Sequence, residues 1–309
     1  MIAKPPPWGD ILSAVAAQGW RARVVAAERL GEARARVAAV LSSGELPRAA
    51  AGHLGLATAF SLPAELPTPR SVVVGALARP LTLATLTVGG RPRSVPIPPH
   101  YAGYATVPDA LAAVVDAALS PHGHRALRAD PPLKTLATGS GLARYGRNNI
   151  AYVPGLGSYL QLAACVSNAP PPEGATWQAA QELERCARCS ACLRACPTGA
   201  IVGRRFPLRT DRCLTFVNED PAPFPAWVKP AWHTCAVGCL RCQQACPENA
   251  GVELAVAPPE AFDAAETTAI LAAAERESLS AATRAKLERC GLDYSAGLIA
   301  RNVTALLGG

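Results

Sequence analysis

The placement of cysteine constrains this chain more than any other feature. Nine of its 11 cysteines fall between Cys186 and Cys246, and only Cys165 and Cys290 lie elsewhere. A secreted disulfide scaffold would be far shorter than 309 residues and would not set cysteines three and four apart. In a reducing compartment, crowding of this kind points to metal.

The first run reads Cys186-x2-Cys189-x2-Cys192-x3-Cys196-Pro197-Thr198-Gly199-Ala200-Ile201. Three closely spaced thiolates in this register hold three irons of one [4Fe-4S] cubane, and the cysteine before the proline turns away to a second cluster. Soft thiolates suit iron–sulfur chemistry, whereas a zinc site would show two separated Cys-x-x-Cys pairs. The second run, Gly238-Cys239-x2-Cys242-x3-Cys246-Pro247, is a shortened copy that has lost its leading cysteine. The first run offers four thiolates and the second three, so two cubanes need one more. Cys213 and Cys235 both qualify. Cys235 lies only four residues before Cys239 and is expected to be a spectator.

Composition narrows the partners. An apolar share of 50% with 17% charged residues describes a folded chain with a real core. Thirty basic against 23 acidic side chains leave +7, well short of a dedicated nucleic-acid binder, so no DNA partner is expected. No stretch approaches about 18 uninterrupted apolar residues, which excludes a membrane span. The start Met1-Ile2-Ala3-Lys4-Pro5-Pro6-Pro7 has neither a secretory apolar run nor a twin-arginine pair. A cytoplasmic location is expected.

Periodicity places helices at 9–19, 30–42 and 110–119 and strands at 24–27, 71–78 and 82–88, with a loop up to residue 69. Alternating strands and helices predict an α/β (α+β) domain with a central sheet over residues 1–175. A cysteine-rich, ferredoxin-like module follows at 176–255. A helical tail at 256–309, with helices at 260–275, 281–290 and 294–307, is expected to pack back on the core. A bare ferredoxin needs nothing like the residues that precede the first run, so the first domain should bind the terminal electron acceptor.

Taken together, the Cys-Pro-Thr-Gly-Ala-Ile segment, the isolated Cys213 and Gly-Cys-x-x-Cys-Gln-x-x-Cys-Pro resemble epoxyqueuosine reductase, a family related to the reductive dehalogenases. Two further stretches carry the likeness. Gly141-Leu142-Ala143-Arg144-Tyr145-Gly146-Arg147-Asn148-Asn149, followed by Gly157-Ser158-Tyr159, resembles the family's corrinoid-binding segments. Gly297-Leu298-Ile299-Ala300-Arg301-Asn302 resembles its closing Leu-x-Arg-Asn motif. The likeness covers roughly residues 130–305. It implies Cys186, Cys189, Cys192 and Cys246 on one cluster, and Cys196, Cys213, Cys239 and Cys242 on the other.

The resemblance further implies cobalamin, held by Gly141, Gly146, Arg147, Asn148, Gly157 and Ser158. In an α/β sheet it would lie at the strands' carboxyl ends, where glycines permit close backbone approach. Asp130 stands where the family has its proton donor and would need burial to hold a proton. Tyr145 is the alternative, with Arg144 or Arg147 to stabilise its phenolate. No corrinoid motif marks a histidine, so His53, His100, His122, His124 and His233 read as surface or core residues. Asp130-Pro131-Pro132-Leu133 and Arg147 depart from the family's Asp-x-Gly-Pro and Lys, and the family's tRNA-contacting helical extension is not expected here. Asn218-Glu219, Phe224-Pro225-x-Trp227 and His233 look more like an offshoot branch of double-cluster proteins.

The expected function is a reductase fed by ferredoxin or flavodoxin, acting on a small molecule or on epoxyqueuosine in tRNA. Two other readings are a double-cluster electron-transfer protein that docks a partner enzyme without cobalamin, and a non-exported reductive dehalogenase-like enzyme.

Overall fold

The computed structural model describes residues 6–48, 50–52, 60–205 and 208–308. His53 and part of the loop expected up to residue 69 lie outside the described residues. The chain forms two compact units. One comprises Met1–Ala78, Ala105–Cys189 and Arg204–Leu208; the other comprises Arg79–Tyr104, Ser190–Gly203 and Arg209–Gly309.

In the first unit the run Ser71–Ala78 is a strand with six successive buried residues. A strand shows alternate side chains to opposite faces, so an unbroken apolar run demands cover on both. Val72, Val74 and Ala76 join Ala164, Val166, Leu136 and Ala137 in one core. Val73 joins Ala163, Cys165, Leu111 and Val115 in the other. Each fully buried valine contributes about 1.5–3 kcal/mol. The second core is closed by helices Trp8–Ala17, through Trp8, Ile11 and Val15, and Val107–Leu119, through Val107, Leu111, Val115 and Leu119. Helix Leu133–Gly139 covers the first.

The sheet runs Trp20–Ala26, Ser71–Ala78, Leu160–Ser167, Ala126–Ala129, and every neighbouring pair is antiparallel. This corrects one expectation. Antiparallel strands alternate direction, so no edge of the sheet gathers carboxyl ends and no ligand position can be argued from one.

The second unit is built on a hairpin. Strands Thr82–Val88 and Arg91–Ile97 pair antiparallel around Gly89-Gly90, whose φ values of 56° and 75° suit a tight primed turn. The short strand Glu260–Phe262 adds in parallel. The tail was expected to begin as helix at 260. Pro258 and Pro259 instead favour extended backbone, and Phe262 is buried in the unit's core. Helix Ala264–Leu271 starts only after Asp263, which forms a reciprocal capping box with Glu266. This helix joins Ala281–Cys290 and Ala296–Leu307 in a core of Leu86, Val95, Ile97, Ile270, Leu287 and Ile299.

The units therefore do not follow the segment boundaries expected from sequence. Residues 79–104 group with the tail and most of the cysteines, while the segment up to Cys189 groups with the four-stranded sheet. Among the described residues no helix is long and apolar enough to cross a membrane.

Candidate functional site

None of the 11 cysteines is in a disulfide, and they differ in burial. Cys165, Cys235 and Cys290 are sealed, at 0%, 1% and 0% exposed. Burial pushes each of these thiols up to about 12. Seven of the eight cysteines assigned by the motifs are partly open, and Cys192 is 8% exposed. A thiol that must meet a metal cluster cannot be closed over by protein. All seven partly open cysteines belong to the motif set, and Cys192 is its one buried member.

The backbone around these sulfurs is arranged for thiolate. Burial alone would raise Cys196, yet the Thr198 hydroxyl, at 3.4 Å, and the N–H groups of Thr198, Ile201 and Ala200 bring it below the ordinary range. The Thr-Gly-Ala-Ile that follows Cys196 is thus a nest of donors, turned by Gly199 at φ 67°. Burial raises Cys213, opposed by the N–H groups of Phe216 and Thr215, and Cys196 acts on it electrostatically. Burial likewise raises Cys239, opposed by the Arg241 N–H, and Cys213 acts on it in turn. Cys213 therefore lies within electrostatic reach of both Cys196 and Cys239 inside the second unit. Among the described residues no three His, Cys, Asp or Glu side chains gather tightly enough to grip a lone ion. Soft thiolates on separate short turns are a donor set suited to iron–sulfur clusters.

In the first unit Cys186 lies in the turn Glu184–Ala187. The backbone N–H of Arg147 donates to its Sγ at 3.4 Å. The Arg147 guanidinium donates to the carbonyl oxygens of Cys189, at 2.5 Å, and of Cys186. Arg147, expected as a corrinoid contact, holds the cysteine segment through these bonds.

The other residues of that loop serve its own geometry. Asn148 is buried, donates to the Tyr152 hydroxyl at 3.0 Å and accepts from the Ile150 N–H. A side chain at Gly146 would stand 2.5 Å from Asn148 Oδ1 and 2.6 Å from the Tyr152 ring. Gly141 and Gly157 have φ of 73° and 60°. Ser158 is buried. Gly141 and Gly157 thus sit at positions that suit tight turns, and Arg147 and Asn148 are engaged with protein.

Asp130 is exposed, its carboxylate 58% open and paired with Arg128 at 3.0 Å. The burial expected of a proton donor is not there. Tyr145 is buried, and the Arg205 guanidinium lies 4.2 Å from its ring. Arg205 is thus a cationic neighbour of Tyr145, while Arg144 pairs with Glu184. Arg205 also donates to Asn149 Oδ1 at 2.9 Å and stands 3.6 Å from Glu182. Sequence reasoning missed it because nothing local links residue 205 to residue 145. Among the histidines, His233 is buried against Phe224, and burial, then Arg301, hold it below the usual imidazole range.

Residues 185–249 match the family described as a 4Fe-4S double cluster binding domain. The epoxyqueuosine reductase of Pseudomonas aeruginosa is 31% identical over 192 residues, which cover 59% of this chain and 51% of the relative. That of Burkholderia pseudomallei is 32% identical over 162 residues, covering 50% and 38%. The chain spans about half the length, or less, of the curated relatives it matches. A solved epoxyqueuosine reductase from Bacillus subtilis, described with its catalytic aspartate loop swung out of the active site, gives a TM-score of 0.64 at 21% identity. The match covers 97% of this chain and 80% of that one. Another, described with an epoxyqueuosine-modified tRNA-Tyr stem loop, also gives 0.64, at 20% identity.

Proposed function

We propose that this chain, epoxyqueuosine reductase-like in sequence and fold and carrying a double [4Fe-4S] cluster domain, is an iron–sulfur oxidoreductase. It passes electrons from a ferredoxin or flavodoxin through its two clusters to a corrinoid at which an organic substrate is reduced. The observation that carries this reading is the division of the cysteines, with seven of the eight motif thiols partly open, several of them met by backbone donors, and the three outside the motifs sealed. Cobalamin, when bound, supplies a strongly reducing cobalt centre. Arg147 ties the loop after Gly141 to the segment bearing Cys186 and Cys189. The first candidate substrate is epoxyqueuosine in tRNA, after the names of the relatives.

Asp130 serves in this reading as the proton donor, its exposed carboxylate paired with Arg128. Tyr145 is the substitute. Asp130→Asn is expected to keep both clusters and lose at least tenfold in turnover of epoxyqueuosine-modified tRNA, since general acid catalysis is worth about 10²–10⁴-fold. Retained turnover would move the role to Tyr145, testable as Tyr145→Phe.

The engagement of Arg147 and Asn148 with protein favours a second reading, a double-cluster electron carrier without a corrinoid. One measurement separates the two. Anaerobically purified protein is expected to hold about eight irons per chain and, mixed with cobalamin and passed through a desalting column, to retain a corrinoid spectrum. Iron without retained corrinoid leaves the carrier. Absence of iron ends both readings.

A further inference from the structure

We propose that Asn302, with Arg301 beside it, is the positioning residue for Cys213 and Cys239, holding the two backbone segments that present these thiolates to one cluster. The inference rests on the assignment of both cysteines to the same cluster.

Helix Leu214–Glu219 follows Cys213 directly, and the turn 236–238 directly precedes Cys239. Nothing in the chain path between them fixes their separation, since Asn218 and Gly238 are 20 positions apart in the chain. Asn302 does fix it. Its amide donates to the carbonyl oxygen of Asn218 at 2.8 Å and to that of Ala236 at 2.8 Å. One planar group thus spans both segments with its two hydrogens. Asn218 adds a direct link by donating to the Gly238 carbonyl at 2.9 Å.

Arg301 orients the clamp. Its Nε and Nη2 donate to Asn302 Oδ1 at 3.1 and 2.9 Å, so the amide can turn only one way. Nη2 also donates to the Val217 carbonyl at 3.1 Å, and Nη1 to that of Ala222. The guanidinium lies over Phe224 at 4.1 Å. Tyr101 makes a second tie between the same segments. Its hydroxyl donates to the Glu219 carboxylate at the end of the helix, and its ring packs so closely on Gly238 that a Cβ there would stand 2.5 Å from Oη.

Asn302 is 0% exposed on a helix whose other inward residues, Ile299 and Val303, are apolar. Packing alone would place a hydrophobe there, because a buried amide is costly unless every polar atom is paired. Here each is paired, and the pairs lead to the two ligand-bearing segments.

Asn302→Asp tests the clamp. The change preserves shape and the partnership with Arg301 but removes both donated bonds. Wild-type protein should hold about eight irons and the variant about four, with the signal of one cluster absent from the electron paramagnetic resonance spectrum. Val303→Ala, on the same helix, should melt earlier yet keep its iron, which a merely structural role for the helix does not predict. If Asn302→Asp does not fold, Arg301→Lys decides, and it should lose iron to a chelator several-fold faster than wild type. Full iron in Asn302→Asp, or wild-type chelation kinetics in Arg301→Lys, overturns the proposal. A wild-type chain without two clusters would remove instead the assignment on which the proposal rests.

Discussion

Cys213→Ser, purified without oxygen, is expected to retain about four of some eight irons, whereas Cys235→Ser retains them all, since each cubane needs its four thiolates. The two cysteines compete for one role, and their surroundings decide between them. Cys235 is 1% exposed, its thiol pushed up to about 12 by burial, with the Thr234 hydroxyl at 3.7 Å. It lies electrostatically near Cys239, so proximity alone does not exclude it. Enclosure does, because a cubane edge needs open space at the sulfur. Cys213 is partly open, flanked by backbone donors, and within reach of both Cys196 and Cys239. Thiolate ligation is also folding energy, so Cys213→Ser should melt several degrees lower while Cys235→Ser changes little beyond its packing. Iron analysis beside a thermal melt checks both parts. The opposite pattern, with half the iron lost from Cys235→Ser, would make Cys235 the eighth ligand.

The cysteine runs were legible because their ligation chemistry is local, with three thiolates at fixed short spacing on one turn of chain. Strands 71–78 and 82–88 were legible end to end for a similar reason, since short runs rich in valine, threonine and leucine between turn residues leave few alternatives. Their partners were not legible. Strand Thr82–Val88 pairs with Glu260–Phe262, and nothing near residue 82 announces a partner so far along the chain. The direction of the four-stranded sheet was hidden in the same way, because alternation of helix and strand is compatible with antiparallel order. The loop 141–149 shows a third kind of limit. Its glycines and asparagines read equally well as a ligand cradle or as tight turns, and the contacts of Gly146, Asn148 and Arg147 within the protein are tertiary details that no local pattern announces. Arg205 and Asn302 act wholly through tertiary contacts. A single arginine or asparagine carries no pattern until the fold brings its partners to it.

Arg147→Ala is expected to destabilise the cluster to which Cys186 and Cys189 are assigned while leaving the other intact. The guanidinium bridges the carbonyl oxygens of Cys186 and Cys189, so it fixes the turn between two consecutive ligands of the first run. Removing it leaves two carbonyl groups without that partner, at a cost of about 1–3 kcal/mol for each that stays buried. Arg147→Lys keeps the charge but offers a point donor in place of a planar fork, and should fall between wild type and alanine. The backbone N–H that donates to Cys186 Sγ survives both changes, which limits the damage to the side-chain bridge. Electron paramagnetic resonance of the dithionite-reduced protein, with iron counted before and after a chelator pulse, reads each cluster separately. The same samples mixed with cobalamin separate the two roles that have been assigned to this residue. A bridge to the cysteine segment predicts altered cluster signals with corrinoid retention unchanged. A corrinoid contact, the expectation from the loop's resemblance, predicts the reverse. Both clusters intact alongside lost corrinoid retention would return Arg147 to the cofactor and leave the two carbonyl contacts without a role in holding iron.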